Sequence, residues 1–295
     1  MGHTVTDIDS LGASVGVCRA ALQAGKHAHI VLGEINSGIR PWVNALQASG
    51  DYEENYILTH DQAIELTNQN TVVVVVDTNR PSMAECSELL ERTKTIVVMD
   101  HHRQSEEKIE NAALSYIEPS ASSACEMIAE ILQYYDDDIK LKVNEADCIY
   151  AGIIVDTNNF VAKTGMRTFE AAAFLRRHGA DVTRVRKSFR EDMDTYKARA
   201  EAVRHAEAFM GRYAISVCPA QGLENPTVVG AQAANELLNI IGVKASFVLT
   251  DYKNKIYISA RAIDEVNVQI IMERLGGGGH MNIAGAQLEG VTVDE

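Results

Sequence analysis

Apolar residues along the first half of the chain fall into two spacings. Short runs of valine, isoleucine and leucine alternate with longer stretches in which apolar positions recur every three to four residues, the signature of a parallel sheet covered by helices. The short runs predict strands over 29–32, 56–58, 71–76 and 95–99. Residues Val72–Val76 are apolar at every position, as expected of a central strand buried on both faces. The longer pattern predicts helices over 10–24, 41–48, 60–67 and 83–92, with Pro41 near a first turn, where its missing N–H is no loss. A further helical stretch covers 122–135, resumes at Asn144 and ends near His178 and Gly179.

From about Arg190 the pattern changes. A charged helical stretch over 194–208 leads to a strand over 213–217 and a helix over 230–241. A hairpin follows, with strands over 245–250 and 256–260 around the turn Asp251-Tyr-Lys-Asn-Lys255. A short helix over 267–275 then stops in a run of glycine. The fold class expected is α/β: a parallel-sheet domain with helices on both faces over 1–190, and a smaller α/β domain over 191–295.

Composition supports two cores, with 46% hydrophobic and 23% charged residues in a chain of 295. Charge narrows the partners. Against 27 Lys+Arg stand 41 Asp+Glu, a formal net charge of −14, and such a surface repels a polyphosphate backbone, so long nucleic acid is not expected. No apolar run approaches the roughly 20 residues that span a bilayer, and the N-terminus lacks the pattern of a signal peptide, so no membrane contact by this chain is expected. Five cysteines, odd in number, scattered and without a CxxC pair, argue against a disulfide framework and fit a reducing cytoplasm. The chain opens on Met1-Gly2-His3 with no strand ahead, and closes on Thr292-Val-Asp-Glu295, a capping box without its helix. Both ends read as those of a fragment of a longer protein.

Acids and histidines recur where strand-like runs end. They are His3-Thr-Val-Thr-Asp7-Ile-Asp9, Asp77 after the valine run, Asp100-His101-His102 after 95–99, and Asp156 after the run 151–155. Ligands of open α/β sheets bind outside the carboxyl ends of the strands, which would bring these residues to one crevice. Singly, each has an ordinary explanation: Asp9 could cap the helix that follows it, and His27, His60, His178 and His205 read as surface or packing residues. Together, four aspartates on neighbouring strand ends would repel one another unless cations neutralised them. Oxygen-rich ligands with one imidazole each suit manganese or magnesium. Two such ions are a known device for activating water against a phosphoryl group.

This set of motifs resembles the DHH superfamily of phosphoesterases. The second half resembles its DHHA1 substrate domain through Ser259-Ala-Arg261, Asn267 and Gly276-Gly277-Gly278-Gly279-His280. The resemblance covers essentially the whole chain and implies an active site in the cleft between the two domains. It implies a first metal held by His3, Asp7 and Asp77, and a second held by Asp9, Asp77, His101 and Asp156, with Asp77 bridging. Asp100 would orient His101, and His102 would contact the scissile phosphate. Ser259, Arg261, Asn267, the four glycines and His280 would bind substrate, with Arg261 as a phosphate clamp. The cofactors implied are two divalent cations, manganese first, with magnesium or cobalt as substitutes.

Within the superfamily the four-glycine form is most similar to the C-terminal catalytic region of GdpP-type cyclic-di-AMP phosphodiesterases. Those proteins carry membrane helices, a PAS-like domain and a degenerate GGDEF domain ahead of it. The resemblance therefore implies hydrolysis of cyclic-di-AMP to pApA, in the cytoplasm, by a chain whose parent protein is anchored to the cell membrane by upstream segments. The alternative keeps the mechanism and takes short linear nucleotides or 3′-phosphoadenosine 5′-phosphate as substrate, as stand-alone relatives with three glycines do. Inorganic pyrophosphatase shares the metal-binding half but lacks the glycine-rich motif. A non-catalytic nucleotide sensor would be expected to have lost a ligand, and here every expected position is filled. A homodimer is left open.

Overall fold

A computed structural model describes every residue except Glu54, Ser105, Asp137, Asp264, Glu265, His280, Asp294 and Glu295. The chain divides into two units, Met1–Arg190 and Glu191–Glu295. The first contains α1 (Ile8–Gln23), β1 (Ile30–Val31), α2 (Arg40–Ala48), β2 (Ile57–Leu58), α3 (His60–Leu66) and β3 (Val72–Val76). It continues with α4 (Leu89–Arg92), β4 (Thr95–Asp100), β5 (Leu114–Ile117), α5 (Ala124–Tyr135), α6 (Val143–Asp156), α7 (Met166–Arg177) and α8 (Val182–Ser188). Strands β3, β4 and β5 form a parallel sheet in that order, and β1 pairs in parallel with β2. Met1 continues the larger sheet on the other edge of β3: its ammonium group donates to the Val74 carbonyl at 2.9 Å and its carbonyl accepts from Val76 N at 3.0 Å.

Alternation along β3 and β4 supplies two apolar layers. Val73, Val75, Ile96 and Val98 pack with Leu58, Leu89 and Leu90 on one face. Val76, with Val74 and Met99 against it, packs on the other with Leu11 and Val15 of α1, Ile128 of α5 and Ile149 and Ile153 of α6. Burial is not uniform along β3, because Val72 at its start is 55% exposed. The helix expected over 83–92 is mostly absent. A 3₁₀ turn at Pro81–Met83 gives way to α4 at Leu89, and between them Met83 O accepts from Thr4 N at 2.9 Å while Glu85 N donates to Gly2 O at 2.8 Å. These backbone groups bond to the N-terminal segment instead of continuing a helical ladder.

The second unit contains α9 (Met193–Arg204), β6 (Glu207–Phe209), β7 (Tyr213–Val217), α10 (Pro226–Leu237), β8 (Ala245–Tyr252), β9 (Lys255–Ala262), α11 (Val268–Glu273), β10 (Gly278–Gly279) and β11 (Ile283–Glu289). Its six strands run in the order β10-β11-β9-β8-β7-β6, with only β7–β8 parallel. Lys253 and Asn254 turn the β8–β9 hairpin at φ 54° and 62°, the left-handed pair that a two-residue loop of this twist requires. Helices α9 and α10 cover one face through Ala198, Ala202, Val229, Ala233 and Leu237. Helix α11 covers the other through Val268 and Met272.

Candidate metal centre

The loop from Met1 to α1 carries His3 and Asp7. Asp7, not Asp9, caps α1: its Oδ1 accepts from Ser10 N at 3.0 Å. Asp9 lies in the first turn of α1, fully buried, with Oδ2 accepting from Ala124 N at 2.7 Å and Oδ1 from Cys125 N at 2.8 Å, the opening amides of α5. Such amides favour an anion. Asp77 follows β3 in a left-handed conformation, φ 60°, and Asp100 ends β4 just ahead of His101 and His102. Asp156 ends a helix, α6, rather than a strand. Within the apolar run 151–155 that suggested a strand, residues 151–154 are a buried part of that helix and Val155 is exposed, and Gly152 lets the helix approach Asp9: a Cβ there would lie 2.8 Å from Asp9 Oδ1.

These residues come together. His3, Asp7 and Asp77 form one group, Asp9, His101 and Asp156 a second, and Asp77, His101 and His102 a third, each with ligand atoms within 4.8 Å of one another. The Asp77 carboxylate links the first two: Oδ2 lies 3.3 Å from His3 Nε2 and Oδ1 lies 3.3 Å from His101 Nε2. His101 Nε2 is also 3.4 Å from Asp156 Oδ2 and 3.8 Å from Asp9 Oδ2. Asp77 Oδ1 and His101 Nε2 are buried and make no hydrogen bond among the described residues. Buried polar atoms without partners are costly, and two of them facing a cluster of donors fit the coordination of divalent cations.

Electrostatics agree with an unmet positive charge. Burial opposes charge on His3, but contact with the Asp7 and Asp77 carboxylates outweighs it and lifts the ring pKa to about 10. Burial likewise opposes charge on His101, and Asp77, Asp9 and Asp156 lift it to about 9. Burial and the neighbouring charges of Asp77 and Asp156 push Asp9 well above the usual carboxylate range. Burial raises Asp156 to about 6, with His101 offsetting part of the rise. Asp7 goes the other way, its contact with His3 overcoming burial. His3 and His101 thus hold protons where a cation would supply the same positive charge.

Asp100 does not orient His101. Its Oδ1 accepts from His102 N at 3.1 Å and pairs with His102 Nδ1 at 2.8 Å. His101 Nε2 faces Asp77 and Asp156, while the His102 ring, 4.3 Å from that of His101, turns its Nδ1 to Asp100. The bonds to His102, overcoming burial, hold the Asp100 carboxyl below its usual range. Asn79, buried and absent from the residues singled out by sequence, donates to Asp100 Oδ2 at 2.5 Å. Its one signal was a position two residues after Asp77.

The second unit keeps its motif residues on β9, α11 and the strand after it. Arg261 is half-buried, which lowers its pKa, and its Nε donates to Asn235 Oδ1 at 2.9 Å. Ser259 lies in β9, and Asn267 caps α11, accepting from Ile270 N at 3.4 Å. The four glycines divide their work. Gly276, at φ 77°, ends α11: its N–H bonds to Glu273 O at 3.0 Å and that of Gly277 to Met272 O at 2.8 Å, the Schellman pattern. A Cβ at Gly277 would meet Gly285 O and lie 2.7 Å from Ala286 Cα, and Gly279 pairs with Ala284. Only a Cβ at Gly278 would meet nothing within 4 Å in this run, apart from Gly276 itself. His280 lies outside the described residues.

Residues 1–153 match the DHH family, N-terminal domain, and residues 211–295 match the DHHA1 domain. The chain is 40% identical over its whole length to "Cyclic-di-AMP phosphodiesterase GdpP" of Bacillus subtilis (strain 168), and 41% identical to "Cyclic-di-AMP phosphodiesterase PdeA" of Listeria monocytogenes serotype 1/2a (strain 10403S). It spans 45% of the length of each. Among solved structures, an exopolyphosphatase-related protein from Bacteroides fragilis shares the fold with a TM-score of 0.80 at 19% identity, over 99% of this chain and 87% of that one. No helix of the described residues is long and apolar enough to cross a membrane. With the first domain matched over more than half the chain and the second over most of the remainder, this protein belongs to the DHH family, in its DHHA1-bearing branch.

Proposed function

We propose that this chain hydrolyses cyclic-di-AMP to linear pApA with two divalent cations, manganese first. One would be held by His3, Asp7 and Asp77, the other by Asp9, Asp77, His101 and Asp156. The observation that carries this reading is the Asp77 carboxylate, whose two oxygens each lie 3.3 Å from a different histidine. Full-length identity of about 40% to two proteins described as cyclic-di-AMP phosphodiesterases supports the substrate. The 45% of those relatives that the chain spans supports taking it as the catalytic part of a longer protein, and 38% identity to a phytoplasma "Membrane protein-large ribosomal subunit bL9 fusion protein" supports a membrane anchor elsewhere in that protein.

The cations would supply an acidified water and neutralise charge building on the phosphoryl oxygens. The overall hydrolysis would add a water oxygen to one phosphorus and break its P–O3′ bond, with one proton of that water passing to O3′. His102 is half-exposed and fixed at Nδ1 by Asp100, which leaves Nε2 for a phosphate oxygen. Arg261 and the open edge at Gly278 are the residues of the second unit suited to the nucleotide, the first as a bidentate donor and the second as backbone that a ligand can approach closely.

Chromatography of products after incubation with manganese tests the reading, with cyclic-di-AMP and pApA offered separately. Conversion of the cyclic substrate to pApA is the expected result. Turnover of pApA with cyclic-di-AMP left intact would replace this reading with the short-oligonucleotide one.

A further inference from the structure

The loop that carries His3 and Asp7 has almost no apolar anchor of its own. Val5 is 73% exposed and Thr4 is exposed, and between the two candidate ligands only Thr6 is buried. Polar contacts hold it instead. Thr6 Oγ1 lies 2.8 Å from Glu85 Oε2 and 3.0 Å from His3 O, and Thr6 O accepts from Asn36 Nδ2 at 2.7 Å. Glu85 is buried, in the stretch that leaves the helical path between Met83 and Leu89. Its Oε1 accepts from Gly33 N at 2.9 Å and meets His60 Nε2 at 2.8 Å, and its own N–H bonds to Gly2 O. One carboxylate therefore ties together the segments that follow Met1, β1 and β2. It is not part of any of the three groups of candidate metal ligands.

We propose that Glu85 is a positioning residue for the metal centre, acting through Thr6 to set the spacing of His3 and Asp7. Its influence falls on one metal site. Asp9 is fixed by α1 and by two amides of α5, and Asp156 by α6, so these ligands of the site shared with His101 are not carried by the loop, and Asp77, common to both sites, follows β3. The Thr6 hydroxyl has one proton for two acceptors, and the carboxylate is the stronger of them. Removing either partner leaves the loop to the Asn36 contact, the backbone bonds at Thr4 and Gly2, and the capping bonds from Ser10 N and Leu11 N to Asp7.

This inference rests on the two-metal reading, and one experiment separates their failures. Manganese binding to the full chain is measured by calorimetry and by electron paramagnetic resonance, for the wild type and for Glu85→Ala, Glu85→Gln, Thr6→Val and Thr6→Ser. Two ions are expected to bind the wild type. Glu85→Ala and Thr6→Val should weaken one of them by roughly 10- to 100-fold, the usual cost of losing a residue that orients a ligand, and leave the other within about twofold. Thr6→Ser should retain wild-type binding because it keeps the hydroxyl. Glu85→Gln should retain most of it, since its carbonyl still accepts from Gly33 while its amide can donate to Thr6, whose hydroxyl then turns to His3 O. If Glu85→Ala does not fold, Thr6→Val carries the test, because it changes one hydroxyl to a methyl. Equal weakening of both ions, or of neither, would overturn the proposal. A wild type that bound fewer than two ions would overturn the two-metal reading and the proposal with it.

Discussion

Loading this centre with manganese should release protons, and the release can be counted. At pH 7.5 the His3 and His101 rings, with pKa values of about 10 and about 9, are both protonated in the metal-free protein. An imidazole binds metal only after losing that proton. At 1.36 kcal/mol per pH unit, deprotonation costs roughly 3 kcal/mol at His3 and roughly 2 kcal/mol at His101. Metal affinity should therefore rise about tenfold per pH unit at each site between pH 6.5 and 8.5, with one proton leaving for each histidine. Calorimetric titration at one pH in two buffers of different ionisation enthalpy measures the number directly. At least two protons per two manganese ions are expected. A release below one proton, with affinity flat across this range, would refute the assignment of both histidines as ligands.

Manganese at a hundredfold excess over its dissociation constant should stabilise the fold by about 2.7 kcal/mol and raise the melting temperature by roughly 5–10 °C, most of it lost in Asp77→Ala; thermal denaturation with and without metal measures both. Without metal, stability should fall as pH rises. His3 and His101 have folded pKa values above the unfolded 6.5, so their contribution is complete below about 6.5 and disappears through about 9 and about 10, while that of Asp156 disappears as pH rises through about 6. Urea unfolding in chelator at pH 6.5 and pH 10 reads the difference, and equal stabilities would contradict it. Gly277→Ala should cost about 1–3 kcal/mol, since its Cβ would lie 2.7 Å from Ala286 Cα, whereas Gly278→Ala should stay within about 0.5 kcal/mol; chemical denaturation of the two variants compares them.

How far the sequence reached depended on whether position along the chain also determined direction in space. Asp77 and Asp100 could be found because a uniformly apolar strand run stops at each, and the end of a parallel strand is where polar side chains gather. Asp156 follows a run that reads both as strand-like and as part of the helical stretch from Asn144, because an apolar run reads alike in a strand and in a buried helix, and the helix is what forms. The resemblance implied that Asp100 orients His101, whereas its Oδ1 meets the N–H and Nδ1 of His102, a choice between two neighbouring rings that depends on side-chain rotamers. Residues 83–88 have helical spacing, yet Met83 O and Glu85 N bond to Thr4 and Gly2, a pairing about eighty residues apart that no local pattern encodes. Strand β5 was missed for a related reason: it is a half-exposed edge, without the alternation that a buried face imposes. In β11 the inward positions Ala284 and Ala286 are too small to stand out as apolar.

Catalytically dead variants are commonly made by exchanging a carboxylate for its amide, which keeps the shape and removes the charge. At Asp9 that exchange would not be neutral. Both oxygens already accept a backbone N–H, from Ala124 and from Cys125. An asparagine there presents its NH₂ to one of those donors whichever way it is flipped, leaving donor against donor in a fully buried place, at a cost of about 1–3 kcal/mol. The damage would extend beyond the metal site, since the displaced amides open α5, whose Ala129 and Leu132 lie in the core. Asp156, partly exposed at the end of α6, accepts no backbone N–H among the described residues. A folded, inactive protein suitable for capturing a bound dinucleotide is therefore to be sought in Asp156→Asn, and an unstable Asp9→Asn says nothing about whether Asp9 binds metal.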